Sequence, residues 1–361
     1  MKEKIVITVT NDLSYDQRMI KTANTLVDLG YEVELIGRLR HNSIALTDKK
    51  FNQIRLICLF EKGKLFYIEY NLKLFFYLKR IKYHRIIAVD LDTIIPAYYA
   101  SKHKNVLKYY DAHEYFPEMP EVVRRPLIKK IWTFIERKFV PKFDYHYTVS
   151  KGLKNIFEAL YDKPFALIRN LPKQIHTEPH HSSKKFILYQ GALNEGRGLE
   201  ALLLAIKNLP FVHLKLAGEG DLSNTLRKLT KDYKIEDRVE FLGYLPPPLL
   251  KEITSKAYIG VNLLENRGLN YYHSLANKFF DYIQHQIPSI NMDFPEYRAI
   301  QETYHCTYLI ENLEIETIKR AIGDLYEDPK LYQNLQDNCL KARVHLNWEN
   351  ESEIFKTTLN F

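Results

Sequence analysis

At 361 residues and 42.8 kDa the chain is too long for one ordinary domain and suggests two. Hydrophobic residues make up 46% and charged residues 27%, the balance of a folded globular protein, which excludes disorder. Three cysteines (Cys58, Cys306, Cys339) exclude a disulfide framework, and the longest apolar runs fall far short of the ~20 residues that cross a bilayer.

The net charge of +8 is unevenly placed. Up to Leu171 there are 30 lysines and arginines against 19 acidic residues, whereas the remainder carries 22 against 25. The whole positive excess therefore lies in the first half, which points to an anionic partner there. The apolar run at the N-terminus ends at Asn11 and Asp12, too soon for a signal h-region, so a reducing, cytoplasmic location is expected.

In chain order, Ile5–Thr10 reads as a strand, Tyr15–Leu29 as a helix stopped by Gly30, and Glu32–Ile36 as a second strand. Further strands are expected at Arg55–Leu59, Arg85–Val89, Val106–Tyr110, Tyr145–Val149 and Phe165–Ile168, with helical stretches between them. The pattern breaks over residues 169–185, where two prolines and three histidines (His176, His180, His181) sit among polar residues in linker composition. Alternation then resumes, with strands at Phe186–Tyr189, His213–Ala217, Val239–Leu242, Tyr258–Leu263 and Pro288–Met292. The helices of this half are expected at Leu199–Asn208, Leu222–Lys231, Ser274–Gln284, Glu314–Tyr326, Pro329–Val344 and Trp348–Leu359. The fold class is therefore α/β: two units of parallel sheet covered by helices, with a cleft between them as the default site. The expected boundaries are 1–170, a linker at 171–184, a second domain at 185–345, and a C-terminal helix at 346–361.

No dinucleotide fingerprint follows the first strand, and neither a P-loop nor a nucleophile elbow occurs. The most informative stretch is Tyr189–Glu200, YQGALNEGRGLE, a glycine-rich turn between strand and helix. Gly191 lets backbone approach a ligand, and Arg197 adds a cation beside a helix N-terminus. A plain turn with a solvated arginine fits the same residues. In Asn270–Tyr282, Asn277 and Lys278 fall in the first turn of a helix starting near Ser274, with Asp281 one turn later. Alone, this reads as an N-cap by Ser274 and an i, i+3 ion pair between Lys278 and Asp281. Ala217–Asp221 is a third strand-end turn, carrying Glu219 and Gly220. Asp111 and His113 close a strand in the basic half, where a histidine would face the cleft or make a structural hydrogen bond. Asp90 and Asp92 read as a polar strand-end turn rather than a metal site.

Taken together and in order, these segments resemble the GT-B-fold retaining glycosyltransferases of family 4, of the bacterial surface-polysaccharide type. The resemblance covers NDLSYDQRMIKTANTLVDLGYEVELIGR, VDLDTIIPA, YYDAHEYFPEMP, YQGALNEGRGLE, LAGEG, VEFLGYL and SLANKFFDYIQHQIPSI. It implies two Rossmann-like domains facing each other across a cleft, with the last helix crossing back to the first domain. It implies transfer of a hexose from a nucleotide-diphosphate sugar, a co-substrate rather than a cofactor, with retention and without a metal. Arg197 and Lys278 match the basic pair that binds the donor diphosphate, and Asp281 matches the carboxylate that receives the ribose. Gly191, Glu219, Gly220, Ser274 and Asn277 fall on the donor side. His113 matches the histidine that contacts the transferring sugar, with Asp16, Arg18 and Asp111 on the acceptor side. Four departures stand out. Ala192 replaces a frequent arginine, Ala276 a common proline and Gln286 a common glycine, and His273 with Asp281 stands where two glutamates are usual.

Residues 62–85 and 124–143 each carry seven cations among aromatic and aliphatic residues, against one acid apiece, Glu69 and Glu136. The composition suits an interfacial helix on anionic lipid, and equally a solvated basic face over core packing. No nucleic-acid module is recognisable, and no nucleic acid is expected as a partner. The expected enzyme is peripheral at the inner membrane face and glycosylates a lipid-linked or glycan acceptor. The alternative is a non-catalytic nucleotide-sugar or nucleic-acid binding protein on the same scaffold.

Overall fold

The computed structural model describes residues 2–176 and 184–361, so His180 and His181 lie outside the described residues. The chain divides into two compact units, Met1–Asn170 with Ser352–Phe361, and Leu171–Glu351.

Unit 1 is built on seven strands: β1 Lys4–Thr8, β2 Glu32–Leu39, β3 Asn52–Ile57, β4 Arg85–Val89, β5 Leu107–Ala112, β6 Tyr145–Thr148 and β7 Ala166–Leu167. They lie in the order β3-β2-β1-β4-β5-β6-β7. Every pairing is parallel, with Ile5 opposite Val33 on one side and Arg85 on the other. Parallel neighbours need crossovers. These are supplied by α1 Gln17–Asp28, α2 Gly63–Arg80, α3 Ile94–Ser101, α4 Pro120–Val123, α5 Pro126–Phe139 and α6 Lys151–Tyr161. Phe66, Tyr70, Leu74 and Leu78, at helical spacing on α2, pack on Val6, Ile36, Ile86 and Tyr110 of the sheet. Each such side chain contributes about 1.5–3 kcal/mol when fully buried.

Unit 2 repeats the design with six strands: β8 Ile187–Gln190, β9 Leu214–Ala217, β10 Val239–Gly243, β11 Ile259–Asn262, β12 Ser289–Met292 and β13 Tyr308–Ile310. Their order is β10-β9-β8-β11-β12-β13. The helices are α7 Leu199–Lys207, α8 Ser223–Asp232, α9 Pro247–Ser255, α10 Leu269–Tyr272, α11 Asn277–Gln284, α12 Pro295–Tyr304, α13 Ile315–Glu327, α14 Pro329–Arg343 and α15 Trp348–Thr358. Helix α15 begins in unit 2, and from Ser352 onward it belongs to unit 1. There Phe361 stacks on Tyr109 at 4.6 Å and on Phe355 at 4.9 Å between ring centroids.

Two expectations are corrected. The helix expected from Ser274 starts at Asn277, and its cap is Ala276 rather than Ser274, whose hydroxyl donates to the Tyr271 carbonyl at 2.9 Å. The strand expected to end at Tyr110 runs to Ala112, which places Asp111 inside the sheet.

Each sheet reverses its winding once, between β1 and β4 in unit 1 and between β8 and β11 in unit 2. Ligands of open α/β sheets bind beyond the carboxyl ends of the strands at such points. Both groups of site residues lie there.

Candidate active site

In unit 1 the ends of β1, β4 and β5 gather six ionisable side chains. Arg18 grips Asp111 with two hydrogen bonds, Nε to Oδ2 at 3.2 Å and Nη2 to Oδ1 at 2.9 Å, and its Nη1 donates to the Ile168 carbonyl at 3.1 Å. Both partners are buried, at 4% and 0% exposure. Arg18 and Asp111, expected to face an acceptor, are thus committed to each other inside the unit. Asp16 is likewise occupied: it caps α1 by accepting from the Met19 amide at 3.0 Å, and it accepts from Asn11 Nδ2. These pairings share one cause. Charged groups with little exposure must be paired and hydrogen-bonded, and each finds its partner within the unit.

His113 is the group this arrangement presents. Its ring Nε2 lies 2.9 Å from Asp111 Oδ2 and its Nδ1 3.8 Å from Asp90 Oδ2, with its side chain 23% exposed. Burial alone would lower its pKa, but Asp111 and Asp90 outweigh that and raise it to about 9. Asp111 is held down to about 2: burial works against its charged form, while Arg18 and then His113 override it. Asp90 and Asp92 go the other way, both pushed up to about 6, chiefly by burial. Asp92 accepts a hydrogen bond from Thr10 Oγ1.

In unit 2, Lys278 is the first-turn cation of α11, with 9% exposure. Its Nζ sits 4.1 Å from the centre of the Tyr189 ring. Burial, reinforced by Arg197, drives its pKa well below the ordinary lysine value. Gly191, with φ of 128°, lies directly beside it: a Cβ there would come within 3.4 Å of the Lys278 ammonium. Arg197 stacks over Tyr271 at 5.0 Å, and its Nε is buried with no hydrogen-bond partner among the described residues. Two cations, one desolvated and one with an unsatisfied donor, therefore occupy the end of β8. Asp281 Oδ2 accepts from Gln190 Nε2 at 2.8 Å, and Gln190 Oε1 accepts from Thr254 at 2.8 Å. Gln190 ties the strand to the carboxylate, a role its place in the sequence did not announce.

The remaining expected donor-side residues are placed by packing. Gly218, with φ of 149°, has no room for a Cβ, which would collide with the Gly191 carbonyl; Gly220 is shut in by Asn194 and Leu193. The two turns are thus glycine-rich because they lie against each other. The Glu219 side chain pairs with Arg227 at 2.7 Å. Asn277 is exposed at the start of α11, and Ser274 bonds to the Tyr271 carbonyl. The nitrogen of Ala276 donates to the Tyr297 hydroxyl at 3.0 Å, a bond that proline could not make. His273 Nδ1 is buried without a hydrogen-bond partner among the described residues.

Comparison with known proteins meets this geometry in unit 2. Residues 172–341 match the family described as Glycosyl transferases group 1. The matched segment contains Gly191, Arg197, Lys278 and Asp281. The chain is 22% identical over 207 residues to poly(glycerol-phosphate) alpha-glucosyltransferase of Bacillus subtilis (strain 168), a match covering 56% of this chain. It spans only 29% of that relative's length. Among solved structures, sucrose-phosphate synthase from Thermosynechococcus elongatus superposes with a TM-score of 0.81 at 16% identity, over 99% of this chain and 98% of that one. Anabaena HepE in complex with UDP and glucose gives 0.76 at 12% identity, over 99% of each chain. At these identities the likeness is one of fold. That fold is GT-B, and the segment similar to group 1 lies in its second Rossmann-like unit.

Proposed function

We propose that the chain is a retaining glycosyltransferase that moves a hexose from a nucleotide-diphosphate sugar to a lipid-linked or glycan acceptor in surface-polysaccharide synthesis. The observation that carries this reading is the cation pair, Lys278 and Arg197, at the winding reversal of a group 1 domain. A departing diphosphate needs fixed positive charge more than it needs a base, and preorganised cations stabilise that charge most in a dry site. Lys278 is already stripped of water, and the Arg197 Nε donor is unsatisfied until a ligand arrives. Asp281, steadied by Gln190, is suited to accept from ribose hydroxyls. In unit 1, His113 offers a positively charged donor to the transferring sugar. That HepE was crystallised with UDP and glucose supports a uridine nucleotide as the first donor to try.

The basic half supplies the acceptor's setting in this reading. Helix α2 is apolar on two faces. Phe66, Tyr70, Leu74 and Leu78 are buried, while Leu65, Ile68, Leu72 and Phe76 are more than half exposed. Helix α5 buries Glu136 and Phe139 and exposes Leu127, Ile131 and Phe134. Tyr67 of α2 meets Trp132 of α5 edge-on at 5.6 Å, so the helices are neighbours. Exposed apolar rows flanked by cations suit shallow seating on an anionic membrane. No helix is long and apolar enough to cross one, among the described residues.

The test is sugar transfer and donor hydrolysis by the purified chain with a panel of nucleotide sugars. Activity that falls by about 100-fold or more in Arg197→Ala and Lys278→Ala is expected. No turnover with any donor, together with unchanged donor binding in both variants, overturns the reading in favour of a non-catalytic binding protein.

A further inference from the structure

Asp90 is held in a conformation that costs energy. Its φ is +55°, a left-handed backbone that aspartate tolerates better than most residues but does not prefer. Both ends of the residue are tied to the segment that carries His113. The Asp90 amide donates to the Asp111 carbonyl at 2.9 Å. Its Oδ1 accepts the His113 amide, also at 2.9 Å. The second oxygen, Oδ2, then lies 3.8 Å from His113 Nδ1, while Asp111 holds Nε2 at 2.9 Å.

Each ring nitrogen therefore faces a carboxylate. A neutral imidazole has one donor and one acceptor nitrogen, and its acceptor would be set against an oxygen lone pair. The doubly protonated ring suits both neighbours, as a hydrogen-bond donor to Asp111 and as a positive charge beside Asp90. The two contacts also differ. Asp111 makes a hydrogen bond to Nε2, but 3.8 Å is too long for one at Nδ1. Asp90 thus supplies field without consuming the donor, and the Nδ1–H stays available to a ligand.

We infer that Asp90 is a positioning residue of the unit-1 site, which fixes His113 as an imidazolium and leaves its Nδ1–H free to donate to a substrate oxygen. The inference rests on the glycosyltransferase reading for its substrate and deepens it: His113 acts as a charged donor and not as a base. The charged groups around the ring are Asp111 on β5, Asp90 and Asp92 after β4, and Arg18 on α1. Arg18 opposes the imidazolium, so the two nearer carboxylates must outweigh it. Without the Asp90 charge, Arg18 gains ground and the ring loses its second proton more easily.

Asp90→Asn separates charge from shape, because asparagine tolerates the left-handed backbone and keeps an acceptor for the His113 amide. The full chain, labelled at its histidine ring carbons, is titrated by NMR, with His113→Gln assigning the signal. We expect His113 in the native chain to stay charged well into the alkaline range, and its midpoint to fall by about one pH unit or more in Asp90→Asn. With a donor in hand, kcat should fall about tenfold or more while the donor KM changes little. An unchanged His113 midpoint in a folded Asp90→Asn variant overturns the inference. So does a native midpoint at the ordinary histidine value, which needs no variant at all. A shifted midpoint in a chain that transfers no sugar would leave Asp90 in its role and remove the glycosyltransferase reading instead.

Discussion

Arg18 and Asp111 form a two-pronged, fully enclosed ion pair, and the oxygen that receives Arg18 Nε also receives His113. One carboxylate thus serves two cations. It carries a helix, a strand and the presented histidine as a single piece.

Breaking that pair leaves a buried charge without a partner. Arg18→Ala or Asp111→Asn should destabilise the protein by about 3–5 kcal/mol. Thermal melting followed by circular dichroism checks this; a change of under about 1 kcal/mol in either variant would contradict it. The pH dependence has a definite sign. The Asp111 pKa is lowered from 3.8 to about 2, so its stabilising contribution is present above 3.8 and is lost as the pH falls through about 2.

Lys278 titrates far below its ordinary range while no anion is bound. A diphosphate arriving beside it favours the charged form and raises the Lys278 pKa again, so donor binding should be accompanied by proton uptake. Calorimetry of nucleotide-diphosphate binding near pH 8, in buffers of different ionisation enthalpy, measures that uptake. It should vanish in Lys278→Met; equal heats across buffers for the native chain would contradict a lowered Lys278 pKa in the free protein.

Glu136 sits in the core with its pKa raised by burial from 4.5 to about 7. A raised carboxyl favours the folded state below 4.5, and that contribution is lost as the pH climbs through about 7. Glu136→Gln should therefore be the more stable protein at pH 8, by about 2–3 kcal/mol, and close to the native chain at pH 4.5. Melting curves at the two pH values test it, and a variant less stable at pH 8 would reject it.

For the membrane face, Leu72→Ser with Phe76→Ser on α2 should reduce co-sedimentation with anionic vesicles by about tenfold, without altering the melting temperature, because both side chains are exposed already. Native binding should weaken as salt is added. Binding that ignores salt, or survives the double substitution, would point away from this face.

Much of the scaffold was legible because hydrophobic period is a local property. Arg85–Val89 was expected as a strand and is one, residue for residue. The misses are non-local or conformational. Asp111 and Arg18 lie 93 positions apart, and only the parallel sheet brings them together. Asp90 was expected in a polar strand-end turn and stands in one, but its left-handed φ is invisible in the letters DLD. The helix Pro247–Ser255 hid behind three consecutive prolines, two of which form its first turn, where a missing N–H costs nothing. Gln286 is a different case: it holds φ of +57°, which is why glycine is common there in the family it resembles.

Residues 352–361 complete the unit that the first 170 residues begin. During synthesis the Tyr109 and Tyr147 rings emerge early and wait while all of unit 2 is made, before Phe361 and Phe355 arrive to cover them. Unit 1 should therefore be the last to reach protease resistance on the ribosome. Removal of residues 352–361 should leave unit 1 open to protease while the unit Leu171–Glu351 stays resistant.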